Sequence, residues 1–99
     1  ASTYENLGSV YENKLLFNDA RSFYQSALQI AEKKKLALKQ CQIWNNIGDS
    51  YYKEGNHQEA LTCYLTSKNI AELIKDQEEL RGNYKDLSRT YKALNDINK

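Results

Sequence analysis

Apolar residues recur at intervals of three and four along almost the whole chain, which is the spacing of one face of an α-helix. Short segments separate five such stripes, and Gly55-Asn56 is the clearest turn signal among them. The chain has no proline and four glycines, which leaves little material for a β-rich fold. The pattern therefore predicts an all-α fold of five helices, over about residues 3–14, 17–35, 37–54, 57–75 and 77–94.

The stripes repeat with a period of forty residues. The segment from Trp44 to Tyr51 matches the segment from Tyr4 to Tyr11, and a weaker copy runs from Tyr84 to Tyr91. One register held over so many positions indicates an internal repeat. We therefore predict a single domain with repeat one at residues 1–40, repeat two at 41–80 and a half repeat at 81–99. The first two copies are identical at Asn6/Asn46, Gly8/Gly48, Tyr11/Tyr51, Ala20/Ala60, Tyr24/Tyr64, Ile30/Ile70, Ala31/Ala71 and Glu32/Glu72.

The repeated residues resemble the signature of the tetratricopeptide repeat family over essentially the whole chain. That signature is an aromatic residue, a leucine-glycine pair, a tyrosine, and then spaced small and aromatic residues. The resemblance implies a right-handed solenoid of antiparallel helix pairs. The period departs from the usual value of about 34 residues, and Glu32 and Glu72 stand where a proline commonly ends the second helix. Both departures resemble the long-repeat variant found in scaffold proteins and bacterial regulators. In repeat one the signature is carried by Tyr4, Leu7-Gly8, Tyr11, Ala20, Tyr24 and Ala27.

The last predicted helix keeps an apolar stripe, although too few residues follow it to form a partner helix. Helical arrays need about three repeats and a polar cap for good stability. We therefore expect the chain to be a segment of a longer array. Alternatively, the last helix associates with another chain through a hydrophobic patch. The patch residues are Tyr84, Leu87, Tyr91 and Leu94.

Composition and charge narrow the possible functions. The formal net charge of +1 predicts no strong attraction to nucleic acid or anionic lipid. No apolar run reaches the roughly 18 residues of a membrane span, and no signal peptide is recognisable. Cys41 and Cys63 lack metal-ligand spacing, so we expect buried, reduced thiols and a cytoplasmic protein. We predict no metal and no other cofactor.

Catalytic motifs are not recognisable in the sequence. The one histidine, His57, begins a predicted helix and has no nucleophile at a suitable spacing. No glycine-rich phosphate loop is present. We therefore predict that the chain is not an enzyme, and an enzyme or a nucleic-acid binder remains the least favoured class.

In the family that the chain resembles, the first helix of each pair lines a concave groove. Here that surface is polar and rich in amides. Asn6 and Asn46 share one repeat position, and an amide offers both a donor and an acceptor to a peptide backbone. Tyr52 provides an aromatic anchor, and the charged residues select the charge of the ligand. The predicted binding residues are Asn6, Asn46, Asp49, Tyr52, Lys53, Lys85, Asp86 and Arg89.

These features predict a module that binds a peptide or a partner protein in the concave groove. The alternative is a sensor or oligomerisation segment of a larger regulatory protein, such as a kinase or a transcription regulator. A clamp for chaperone C-terminal carboxylates, known in the family, is not expected. Only Asn46 matches that clamp, and its other positions are occupied by Glu5, Ser9, Gly82 and Asp86.

Overall fold

A computed structural model describes residues 2–97, which form five α-helices joined by short turns. Each helix packs mainly against the next one in the chain, and α3 also contacts α5. This confirms the predicted all-α fold of five helices packed in sequence. No helix in the described range is long and apolar enough to cross a membrane. The helices are α1 (Ser2–Asn13), α2 (Phe17–Lys33), α3 (Ala37–Glu54), α4 (His57–Ile74) and α5 (Gln77–Ile97).

The four turns share one backbone geometry. Helices α2, α3, α4 and α5 begin at residues 17, 37, 57 and 77, so the starts of these four helices are twenty residues apart. Two residues before each start the backbone is left-handed, with φ between 57° and 89°. The next amide donates to the carbonyl five residues earlier at 2.9–3.0 Å, as in a Schellman cap. The left-handed residues are Leu15, Lys35, Gly55 and Lys75.

Two helices also begin with a side-chain cap. Asn56 Oδ1 accepts a hydrogen bond from the Glu59 amide, and Asp76 Oδ1 accepts one from the Glu79 amide. The residues from Asp76 to Glu79 predict a reciprocal capping box, in which the Glu79 carboxylate also accepts a hydrogen bond from the Asp76 amide. The prediction of this second hydrogen bond is wrong, because the Asp76 amide donates to a carbonyl of α4. The Glu79 carboxylate instead accepts from Asn45 Nδ2 at 3.3 Å.

The core lies between consecutive helices, in two clusters. The larger cluster joins α2, α3 and α4 and contains Tyr24, Ile43 and Cys63. The smaller cluster joins α4 and α5 through Ala60, Tyr64 and Leu87. Both cysteines are buried and free, as expected. The central helices are therefore packed on more sides than α5.

Two repeated glycines let an aromatic ring approach a helix backbone. A Cβ on Gly8 would lie 2.5 Å from Tyr24 Cε1, and one on Gly48 would lie 2.8 Å from Tyr64 Cε1. From the sequence alone, Ala20 of α2 is the expected close neighbour of Gly8. In the structure the three nearest atoms belong to the ring of Tyr24, one helical turn further along α2.

The predicted association patch on α5 is only partly exposed. Leu87 is 6% exposed because it packs on Ala60 and Tyr64, so its inclusion in a surface patch is wrong. Tyr84 and Tyr91 are 55% and 49% exposed. Leu94 is half-buried. The open part of this face therefore consists of the two tyrosines.

Candidate partner-binding surface

Four of the predicted binding residues meet where α3 and α5 come together. The Arg89 guanidinium carbon lies 4.0 Å from the centre of the Tyr52 ring. Arg89 Nη2 lies 3.5 Å from Asp49 Oδ1 and 3.6 Å from Asp86 Oδ1. It also donates to the Tyr64 hydroxyl at 3.0 Å. We refer to these residues as the Arg89 cluster: Asp49, Tyr52, Tyr64, Asp86 and Arg89.

The electrostatics of the Arg89 cluster explain its geometry. The Tyr64 hydroxyl donates to Asp49 Oδ1, and burial together with this bond raises the pKa of Tyr64 far above its usual value. Burial, and then the nearby Asp49 charge, raise the pKa of Asp86. Burial opposes the charge on Arg89, but Tyr64, Asp86 and Asp49 outweigh it and raise the pKa of Arg89. The guanidinium therefore stays charged and holds the carboxylates together.

Lys53 is also engaged within the chain. Its Nζ forms an ion pair with Glu12, a residue of α1 that is almost fully buried. Along the same surface Lys39 Nζ lies 3.3 Å from Glu5 Oε1. Asn45 and Glu79, which are in contact, stand forty positions after Glu5 and Lys39 respectively. The contact of α1 with α3 is therefore similar to the contact of α3 with α5. Charges expected to select a ligand thus also link the first helices of successive repeats.

The two repeated asparagines are placed differently. Asn6 is exposed and Asn46 is half-buried. Among the hydrogen bonds found for residues 2–97, none involves either side-chain amide. Neither amide is therefore engaged within the described part of the chain, whereas the charged residues beside them are mostly paired.

Lys85 differs from the other predicted cations because it has no ion-pair partner in the described part of the chain. It is exposed on α5. It borders a shallow hollow of about 280 Å³ together with Glu78, Arg81 and Gly82. An anionic group of a ligand can reach Lys85 without displacing a carboxylate of the chain.

A larger hollow, which the sequence analysis missed, lies at the α2–α3 turn. Its volume is about 520 Å³. The sequence feature that indicates this hollow is a pair of leucines within a lysine-rich segment. The repeat pattern does not place these leucines in the core. Leu36 and Leu38 both have exposed side chains. The hollow is lined by Lys35, Leu36, Ala37, Leu38, Lys39 and Gln42.

Metal-ligating side chains do not cluster within residues 2–97. Among the described residues, no group of three or more His, Cys, Asp or Glu side chains is placed to hold a metal ion. The His57 ring packs edge-on against Tyr52, with 4.6 Å between the ring centres. The histidine therefore contributes to the packing beneath the Arg89 cluster.

Comparisons with known proteins agree with the repeated architecture. Residues 39–99 match a family model described as tetratricopeptide repeat, and residues 1–34 match a second model of the same description. Among curated proteins, the Tonsoku-like protein of Danio rerio is 29% identical over 72 residues, which is 73% of this chain. The matched segment covers 5% of that protein. The chain therefore corresponds to a small part of this relative.

Proposed function

The chain belongs to the tetratricopeptide repeat family, and from this membership we propose that it binds a peptide or partner protein along α1, α3 and α5. The observation that carries the proposal is the pair of unengaged amides, Asn6 and Asn46, at one repeat position. An amide can donate to and accept from a peptide backbone whatever the ligand sequence. The ligand would therefore lie across the first helices of successive repeats.

The paired charges give this surface a fixed shape before a ligand binds. Asp49, Asp86 and Arg89 hold one another in place, and Lys53 is held by Glu12. A surface that is already ordered loses little conformational entropy on binding. In this proposal these four predicted residues mainly maintain the groove. Direct ligand contacts come from Asn6, Asn46, Lys85 and the open edge of Tyr52.

A peptide-display selection on the wild-type chain tests the proposal, with Asn46→Ala as the counter-target. Enriched peptides should lose at least tenfold in affinity on this variant, about 1.4 kcal/mol. Asn69→Ala is the matched control, because Asn69 is an exposed asparagine on α4. Peptides that bind wild type, Asn46→Ala and Asn69→Ala equally well would place the binding surface elsewhere.

We also propose that the repeats belong to the forty-residue variant of the family and that the chain is part of a longer array. The equal twenty-residue spacing of the helix starts supports the first proposal. The exposed apolar face of α5 supports the second, because a following helix would cover it.

A second candidate function is oligomerisation through α5, favoured by the exposure of Tyr84 and Tyr91. Sedimentation velocity should then show a mass that rises with protein concentration. The double variant Tyr84→Ser, Tyr91→Ser should stay monomeric at the same concentrations. Leu73→Ser removes an exposed apolar side chain from α4 and serves as the control. A wild-type chain that stays monomeric would exclude this candidate.

A further inference from the structure

The hollow at the α2–α3 turn has an apolar floor. Leu36 and Leu38 are 45% and 44% exposed, and both line the hollow beside Ala37. Each exposed leucine that becomes covered on binding removes apolar surface from water, which favours association. The volume of about 520 Å³ is large enough to receive a large apolar side chain together with the backbone that carries it.

The rim of the hollow is positively charged. Lys35 and Lys39 line it, and Lys33 and Lys34 directly precede it. Lys39 is partly neutralised by Glu5 at 3.3 Å. The other three lysines have no ion-pair partner within the described residues, and the nearest acidic residue along the sequence is Glu32. The local charge is therefore positive although the whole chain is nearly neutral, and acidic groups are attracted.

The hollow shares one face of α3 with the proposed groove. Gln42 lines the hollow, and it stands four residues before Asn46 on α3. Residues four apart lie on the same face of a helix, so the two amides follow one another along that face. A peptide that contacts Asn46 can therefore extend over Gln42 to the leucines.

We propose that this hollow is an anchor subsite for a peptide that carries an aliphatic or aromatic side chain flanked by acidic residues. Leu36 and Leu38 cover the apolar side chain, and Lys35 and Lys39 pair with the carboxylates. Gln42 binds the peptide backbone between them. The inference rests on the proposed groove function and specifies the chemistry of its ligand. A single-stranded nucleic acid would instead require aromatic side chains for base stacking, and none lines the hollow.

Fluorescence anisotropy with a labelled peptide of about twelve residues, with a central leucine between pairs of glutamates, tests the proposal. This peptide should bind at least tenfold more tightly than a version with central serine. It should also bind more tightly than a version with glutamine in place of every glutamate, and the difference should shrink at high salt. Equal affinity for the three peptides would overturn the proposal, as would binding too weak to detect.

Two variants with matched controls locate the site on the protein. Leu38→Ser should weaken binding at least tenfold, whereas Leu73→Ser, at an 82% exposed leucine of α4, should not. Lys35→Gln should weaken binding about threefold. Lys75→Gln is its matched control and should leave binding unchanged. Lys75 has the same left-handed backbone as Lys35, with φ 57°, but lies in the α4–α5 turn. Equal effects of a variant and its control would overturn the assignment.

The same variants separate this inference from the groove proposal. Peptides selected by display that depend on Asn46 but not on Leu38 or Lys35 would support the groove and overturn the subsite. Acidic peptides that depend on Leu38 but not on Asn46 would support the subsite alone. Tighter binding of an oligonucleotide or of vesicles containing phosphatidylserine, lost in Lys35→Gln, would show a general polyanion site and overturn the peptide assignment.

Discussion

At the scale of single residues, two glycines determine how closely paired helices approach. The ring of Tyr64 lies against the α3 backbone at Gly48, and Cys63 Cβ would be 3.2 Å from an added Cβ. Because both neighbours are buried in the core, neither can move away cheaply. Around Gly82, by contrast, no atom beyond its chain neighbours and its own helix backbone lies within 4 Å of the corresponding point.

Gly48→Ala should therefore lower the free energy of unfolding by about 1–3 kcal/mol, because the added methyl group overpacks the contact with Tyr64. Gly82→Ala should raise it by up to about 1 kcal/mol, since alanine is a better helix former. Urea denaturation of the two variants measures both effects. A destabilising Gly82→Ala or a neutral Gly48→Ala would contradict this account of the helix contact.

The buried thiols predict a dependence of stability on alkaline pH. Burial raises the pKa of Cys41 and of Cys63 from 9.0 to about 11. Between these values the native state binds more protons than the unfolded state, so the free energy of unfolding should fall as pH rises from about 9 to about 11. Below pH 9 this contribution is constant.

Urea titrations at several pH values measure the slope. The double variant Cys41→Ala, Cys63→Ala should be less stable overall but should show a shallower alkaline slope. Tyr64, whose pKa burial also raises, accounts for part of the remaining slope. An unchanged slope in the double variant would mean that the thiols titrate normally in the folded chain.

Some features of single residues could be predicted from the sequence and others could not. The unengaged amides of Asn6 and Asn46 follow from their repeat position on the polar face. The pairing of Arg89 with Asp49 could not be predicted. These two residues occupy the same repeat position, and the repeat pattern does not show that packing of α5 brings them together. Arg21 is a further example. This α2 residue is buried and donates to Glu54 of α3 at 2.9 Å, whereas Leu61 stands at the equivalent repeat position.

At the scale of helices, three of the four turns hold a non-glycine residue in the left-handed conformation. A non-glycine residue in the left-handed conformation costs about 1 kcal/mol or more. Lys75 adopts this conformation with φ 57°. The equivalent residue of the α3–α4 turn is Gly55, which adopts it without a Cβ clash.

Lys75→Gly should raise the free energy of unfolding by about 0.5–1 kcal/mol, because relief of the clash exceeds the added entropy of the unfolded chain. Lys85→Gly is the matched control. It places glycine inside α5 and should cost about 1 kcal/mol. Thermal denaturation compares them, and a lower melting temperature for Lys75→Gly would show that the turn is not strained at this residue.

Helix starts could be predicted to within a residue because the apolar stripes and their forty-residue repeat fix them. Helix ends were less accurate: α2 ends two residues before the predicted Lys35, and α5 runs three residues beyond the predicted Leu94. The residues after Leu94 include neither glycine nor proline to stop a helix. The left-handed Leu15, Lys35 and Lys75 could not be predicted, since ordinary side chains carry no signal for that conformation.

At the scale of the whole molecule, α5 is packed against fewer neighbouring helices than the central helix α3. It packs on α4 through the small cluster of Ala60, Tyr64 and Leu87, and it touches α3 only slightly. Helix α3 packs against both α2 and α4. Segments with few buried contacts open at lower free energy than the whole fold.

Native-state hydrogen exchange should therefore show weaker protection in α5 than in α3. Leu87→Ala should cost about 2–4 kcal/mol in the opening of α5, because it truncates the most deeply buried apolar side chain described in that helix. Protection in α2 should change little in this variant. Equal loss of protection in α2 and α5 would mean that the five helices unfold as one unit.

The equivalent turns also determine how a gene for such a chain can lengthen. Residues 37–76 begin after one Schellman-capped turn and end in another, with the same backbone geometry at both junctions. A tandem duplication of this segment would join Asp76 to a second Ala37 and create a connection whose conformation already exists in the chain. Recombination in this frame would add one helix pair at a time, so array length can vary while each repeat keeps its own binding surface.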